Sequence, residues 1–220
     1  LIGEKGFFMN VHRRRPIARI IEFLQDGTTV ENHRIENTKL LTGRFIVVTL
    51  AHCISGTYSI MLMITVLMYG NFVGYSPFAA AMLSSIYAFA ALVARPFTGL
   101  LSDRFSKKNI FLIGMSTLII APLIFLFSQS FNFRLVARTL SGAGMALSST
   151  SISAIATEII PKSRFTEGIS YYGIGISVGG ALAPVLGLKL IECFGYNGMF
   201  LVSSLFAVIA FLSIVFFRYT

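Results

Sequence analysis

The sequence predicts an all-α membrane protein built on six transmembrane helices. Three observations predict it. The 220 residues are 55% hydrophobic and only 12% charged, whereas soluble domains carry about 25% charged residues. Charge-free runs recur that reach roughly eighteen residues or more, enough to cross about 30 Å of hydrocarbon. These runs are apolar all round rather than alternating, which excludes the dyad pattern of a membrane β-barrel.

The spans fall at about 45–68, 78–101, 110–128, 135–156, 169–190 and 198–217. The connections are short, apart from the charged turn at 102–109 and the polar turn EIIPKSRFTEG at 158–168. Residues 1–43 read as a polar cytoplasmic tail. Within it, PIARIIEFLQDG places Ile17, Ile20, Ile21 and Leu24 at helical spacing, with Pro16 suited to a first turn and Gly27 to a stop. Beside Arg13, Arg14, Arg15 and Arg19 this segment reads either as a helix lying on an anionic membrane surface or as a solvated tail. Residues 44–220 read as one six-helix membrane unit. The chain begins at Leu1 rather than a methionine, so a fragment or a processed product is expected, with Met9 a candidate start. No secretory leader is evident in the first forty residues.

The net charge of +9 is read as topology rather than as a nucleic-acid footprint. Most Lys and Arg fall at 1–44, 95–109, 158–168 and Arg218, leaving only Arg134, Arg138 and Lys189 for the other side and the spans. By the positive-inside tendency both ends are expected in the cytoplasm of a multi-pass protein of the cell (inner or plasma) membrane. Cys53 and Cys193 form no CxxC pair, and His12, His33 and His52 are scattered. No metal site, cofactor or nucleophile–base–acid set is expected, so the chain does not read as an enzyme.

The charged turn carries a pattern of its own. Gly99-Leu100-Leu101-Ser102-Asp103-Arg104-Phe105-Ser106-Lys107-Lys108 resembles the G-x-L-x-D-R-x-G-R-R signature of the major facilitator superfamily, in the loop where that family has it. Ser106 stands in place of a glycine. In span four, Arg138 with Gly142 and Gly144 is similar to the family's R-x-x-x-G-x-G element. In span five, Gly179-Gly180-Ala181-Leu182-Ala183-Pro184-Val185-Leu186-Gly187 is similar to the G-x-x-x-G-P-x-x-G element of its drug-exporting, antiporter branches, with Ala183 for one glycine.

The resemblance covers about 44–220 and looks like the amino-terminal six-helix half of a twelve-helix transporter. It implies two inverted three-helix repeats and a substrate cavity near the bilayer midplane. It also implies alternating access, a small organic substrate, and proton-coupled efflux. A second six-helix half, or a homodimer partner, is expected to complete the cavity. The rival readings are a sugar or metabolite uptake porter of the same fold, and a half-length membrane partner or sensor protein that does not transport.

Residue roles follow from physics beside the resemblance. Gly99 permits close helix approach. Asp103 does nothing for topology, so with Arg104, Lys107 and Lys108 it is a candidate conformational latch. Arg138 sits about one turn inside a span, where a charge costs about 2.5–3.5 kcal/mol unless it snorkels or faces a polar cavity. His52, the titratable group within span one, is a candidate proton site, with packing as the alternative. Gly142, Gly144, Gly179, Gly180, Pro184 and Gly187 are helix-packing or interface candidates. The hydroxyls from Ser148 to Ser153 either line a polar cavity or bond their own helix.

Overall fold

The computed structural model describes residues 40–216. The candidate interfacial helix at Pro16 and the basic end at Arg218 lie outside them. Within them the chain is helical: α1 (Gly43–Phe72), α2 (Pro77–Arg104), α3 (Lys107–Phe127), α4 (Phe131–Ile159), a 3-10 turn (Lys162–Arg164), and a run Phe165–Val215. That last run breaks at Gly195, whose φ of 67° and ψ of −177° lie outside helical space. Only glycine adopts such a backbone without strain. The two arms are α5 (165–194) and α6 (196–215).

Local chemistry sets the ends. Thr42 caps α1, its hydroxyl accepting from the Phe45 amide at 3.3 Å. Ser76 caps α2 through the Ala79 amide at 3.2 Å, with Pro77 in the first turn. Gly74, at φ 85°, makes the reversal between them. Between α2 and α3 only Phe105 and Ser106 leave the helices. Ser106 has an ordinary backbone (φ −58°, ψ 123°), so this turn does not need a glycine there.

Among the described residues, four helical stretches are long and apolar enough to cross a membrane: α1, α2 to Ser102, α3, and Lys162–Val215. Helix α4 is one residue shorter than α1 and less apolar, because its middle is rich in Ser, Thr and Gly. It is enclosed instead, packing against both α2 and α3, while α1 packs on the α5–α6 run. The core is drawn from every helix and includes Val48, Tyr58, Leu83, Phe111, Ile152 and Phe200. The remaining apolar surface faces outward, notably Phe89, Leu92 and Phe97 on α2 and Val178, Leu182 and Val185 on α5. The chain reverses at every connection. One end of the bundle carries Lys107, Lys108 and Arg164 (the basic end), and the other carries Gly74, Ser128 and Gly195.

Small residues decide how closely the helices approach. On α5, Gly175, Gly179, Ala183 and Gly187 recur every four residues. A Cβ on Gly179 would lie 2.9 Å from the Cys53 carbonyl, and one on Gly187 2.8 Å from Thr65 Cγ2, so this stripe is spent on α1. A Cβ on Gly180, beside it, would lie 3.1 Å from Ile60 of α1. On α4, a Cβ on Gly142 would meet Tyr87 and Ala90 of α2, and one on Gly144 would lie 2.8 Å from the Gly114 carbonyl of α3. These glycines, helix-packing or interface candidates in the sequence, pack helix against helix inside this chain, because the absence of a Cβ lets backbones close up.

A proline opens a gap in α3. Pro122 has no amide hydrogen for the Leu118 carbonyl four residues back. The Tyr58 hydroxyl of α1 donates to that carbonyl at 2.7 Å, and Ser204 of α6 donates to the adjoining Ile119 carbonyl at 3.2 Å.

Candidate functional site

Two polar clusters lie inside the bundle. The first centres on Arg138, on the third turn of α4. It is 1% exposed, which excludes snorkelling to a helix end. Its Nε donates to the Leu83 carbonyl of α2 at 3.0 Å, and the guanidinium lies 4.5 Å over the Tyr87 ring. Its Nη2 is enclosed and has no hydrogen-bond partner among the described residues. A buried donor left unmade costs about 1–3 kcal/mol.

One turn earlier on the same helix, Arg134 is also buried but differently held. Its Nε donates to the Ser128 carbonyl at 3.0 Å and its Nη1 to the Tyr75 hydroxyl at 2.7 Å. Its guanidinium lies 4.9 Å over Tyr69. It ties α4 to the ends of α1 and α3.

The second cluster joins three helices. His52 of α1 bonds through Nδ1 to the Tyr172 hydroxyl of α5, and Ser153 of α4 lies 3.1 Å from that same hydroxyl. His52 and Tyr172 are buried, with their rings edge to face. The serine run does two things: Ser148 bonds its own helix at Met145, whereas Ser151 and Ser153 reach Ser102 and Tyr172.

The basic turn holds helix ends together. Lys107 pairs with Glu158 at the end of α4, and Lys108 Nζ donates to the Val215 carbonyl at the end of α6 at 2.8 Å. Arg104 is exposed, and Asp103 lies in the last turn of α2. Nothing among the described residues comes within 4 Å of a Cβ built on Gly99. Pro184 sits within α5, next to Ala183 of the α1-facing stripe.

Sequence reasoning singled out Arg138 and His52 but missed Tyr87 and Tyr172, which engage them. It also missed Arg134 as a structural tie. No local signal points to these partners, since Tyr172 lies 120 residues from His52.

The profile of the Major Facilitator Superfamily matches residues 48–220. The chain belongs to the major facilitator superfamily. This family moves solutes rather than transforming them. Among its curated relatives, an uncharacterized transporter of Buchnera aphidicola subsp. Schizaphis graminum is 29% identical over 177 residues, covering 77% of this chain and 44% of the relative. A putative multidrug resistance protein, MdtD, of Escherichia fergusonii is 27% identical over 130 residues, covering 59% of this chain and 28% of that protein. The chain thus spans less than half the length of these relatives. Among solved structures, the peptide transporter POT in complex with sulfate superposes with a TM-score of 0.72 at 14% identity, covering 84% of this chain and 40% of that one. At that identity the likeness speaks to fold alone. The superfamily fold and the apolar helices make this an integral membrane protein.

Proposed function

We propose that the chain is the amino-terminal half of a secondary active transporter that exports small organic molecules by alternating access, driven by proton entry. The observation that carries this reading is Arg138: a fully enclosed cation, held by one bond and one ring, with a donor unspent. A charge of this kind is expensive to keep in a membrane protein unless it is used. In this reading Arg138 meets the acceptor of a substrate or of the opposing half during the cycle, and the His52–Tyr172 pair is the proton site. Export is favoured over uptake by the multidrug name of the MdtD relatives.

The six spans of this reading are α1 to α6. Packing supports two inverted three-helix repeats. A glycine of α4 seats on α2, and a glycine of α5 seats on α1, as expected if α1 exchanges with α4 and α2 with α5. The outward faces of α2 and α5 receive the second half, or a second copy of the chain. The basic end lies in the cytoplasm of the cell membrane, with residues 1–43 as a tail there. In the same reading Gly99, Asp103, Arg104, Lys107 and Lys108 form the latch. The contacts of Lys107 with α4 and Lys108 with α6 support it, since they fix the turn at the cytoplasmic end of this half.

The test is transport by the full-length protein in everted membrane vesicles, with a panel of aromatic dyes and an imposed proton gradient. Proton-dependent dye accumulation, lost in Arg138→Ala at normal expression, is expected. Dye movement indifferent to the gradient overturns proton coupling. Movement in the opposite sense overturns efflux, and full activity in Arg138→Ala removes the role given to that residue.

A further inference from the structure

We propose that the pocket between the end of α1 and the Gly195 break is a binding site for a planar aromatic compound carrying a hydrogen-bond acceptor. The pocket has a volume of about 470 Å³ and is lined chiefly by Tyr69, Phe72, Phe194, Tyr196 and Asn197. That volume is within the range of small-molecule sites, which combine apolar walls with a few placed polar groups.

The walls specify an aromatic guest. Phe72 and Tyr196 lie 4.8 Å apart and tilted by 36°, and Tyr69 meets Tyr196 edge-on at 5.2 Å. Phe72 and Phe194 are 72% and 67% exposed, so both keep ring surface free for a further ring. Gly195 leaves the floor without a side chain.

The polar groups specify an acceptor. Tyr69 is more than nine-tenths buried, yet it lines the pocket and its hydroxyl has no hydrogen-bond partner among the described residues. Arg134 lies over its ring at 4.9 Å, so positive charge stands behind this wall and suits a guest with a negative or carbonyl oxygen. Asn197 is exposed at the rim and likewise makes no bond within the described residues, leaving its amide as a second donor. A saturated acyl chain can offer its head group to these donors but no ring to the aromatic walls. The groove between α3 and α4, lined by Ile120, Leu123, Ile124, Phe127 and Phe133 with Ser128, is the better seat for one. The pocket lies at the end opposite the basic loops, away from the His52 cluster. Its binding can be read without transport, so it stands or falls separately from the function proposed above.

The test uses the full-length protein in lipid nanodiscs, photolabelled with benzophenone carboxylate and mapped by peptide mass spectrometry. Saturable labelling of segments 69–73 and 191–197 is expected, competed by naphthoate and not by decanoate. Asn197→Ala, at an exposed position that leaves the core untouched, and Tyr69→Phe should each weaken labelling about fivefold, the loss of one hydrogen bond. Four results overturn the proposal: labelling that rises linearly and is shared with the Phe127 groove, equal competition by decanoate, indifference to both substitutions, or no label on these segments.

Discussion

Arg134 and Arg138 stand one turn apart on α4, both buried and both against tyrosine rings, yet they are held in opposite ways. Arg134 donates to a carbonyl and a hydroxyl at helix ends and joins α4 to its neighbours. Arg138 has one bond and keeps a donor enclosed without a partner. Burial alone therefore does not separate a structural cation from one proposed to act in transport. The difference lies in whether the hydrogen-bonding capacity is spent within the fold. A saturated group stabilises, while an unsaturated one retains free energy for an event that supplies the missing partner.

Substitutions can break or sharpen this contrast. The largest effect is expected for Arg138→Ala: transport should fall about a hundredfold, equivalent to about 2.7 kcal/mol, with the thermal midpoint in detergent little changed. A large stability loss with residual transport would place Arg138 in Arg134's class. Arg134→Ala should do the reverse, lowering unfolding stability by about 2 kcal/mol through loss of two charge-assisted bonds. Its transport per folded molecule should be retained, which a dye-flux assay normalised to folded protein checks.

The next effect sharpens the meaning of a spent group. Tyr58→Phe should cost about 1 kcal/mol, because it strands the Leu118 carbonyl. In a Pro122→Ala background the restored amide satisfies that carbonyl, and the cost should largely vanish. Equal costs in both backgrounds, read by thermal unfolding, would break the assignment. The smallest effect is expected at the half-exposed pair: Lys107→Ala should change stability by no more than about 0.5 kcal/mol. If it nevertheless alters the transport rate, the basic turn acts on the cycle rather than on the fold.

Much of the architecture was legible in the sequence. The expected start at residue 45 falls two residues inside α1, and the expected turn at 102–109 contains the Phe105–Ser106 break between α2 and α3. The reason is physical: charge is costly inside the hydrocarbon, so most of it marks the ends. The helix pairings were not legible. Helices that are apolar all round carry no moment to say which face turns inward, so nothing indicated that Gly179 and Gly187 would seat on α1. For the site, Arg138 and His52 stood out because titratable groups are rare in spans. Their partners Tyr87 and Tyr172 did not, since each lies on a different helix and a tyrosine in an apolar run is unexceptional.

The Pro122 gap has a consequence for the order in which the protein is made. Tyr58 precedes Leu118 in the chain, so its hydroxyl is available as soon as α3 emerges. Ser204 follows Ile119 by 85 residues, which at about 5–20 residues per second is a delay of roughly 4–17 s. For that interval α3 sits in the nascent bundle with the Tyr58 contact made and the Ser204 contact still to come. Helix α6 thus completes α3 late, and a chain stalled before residue 204 would hold α3 by α1 and α4 without its bond to α6.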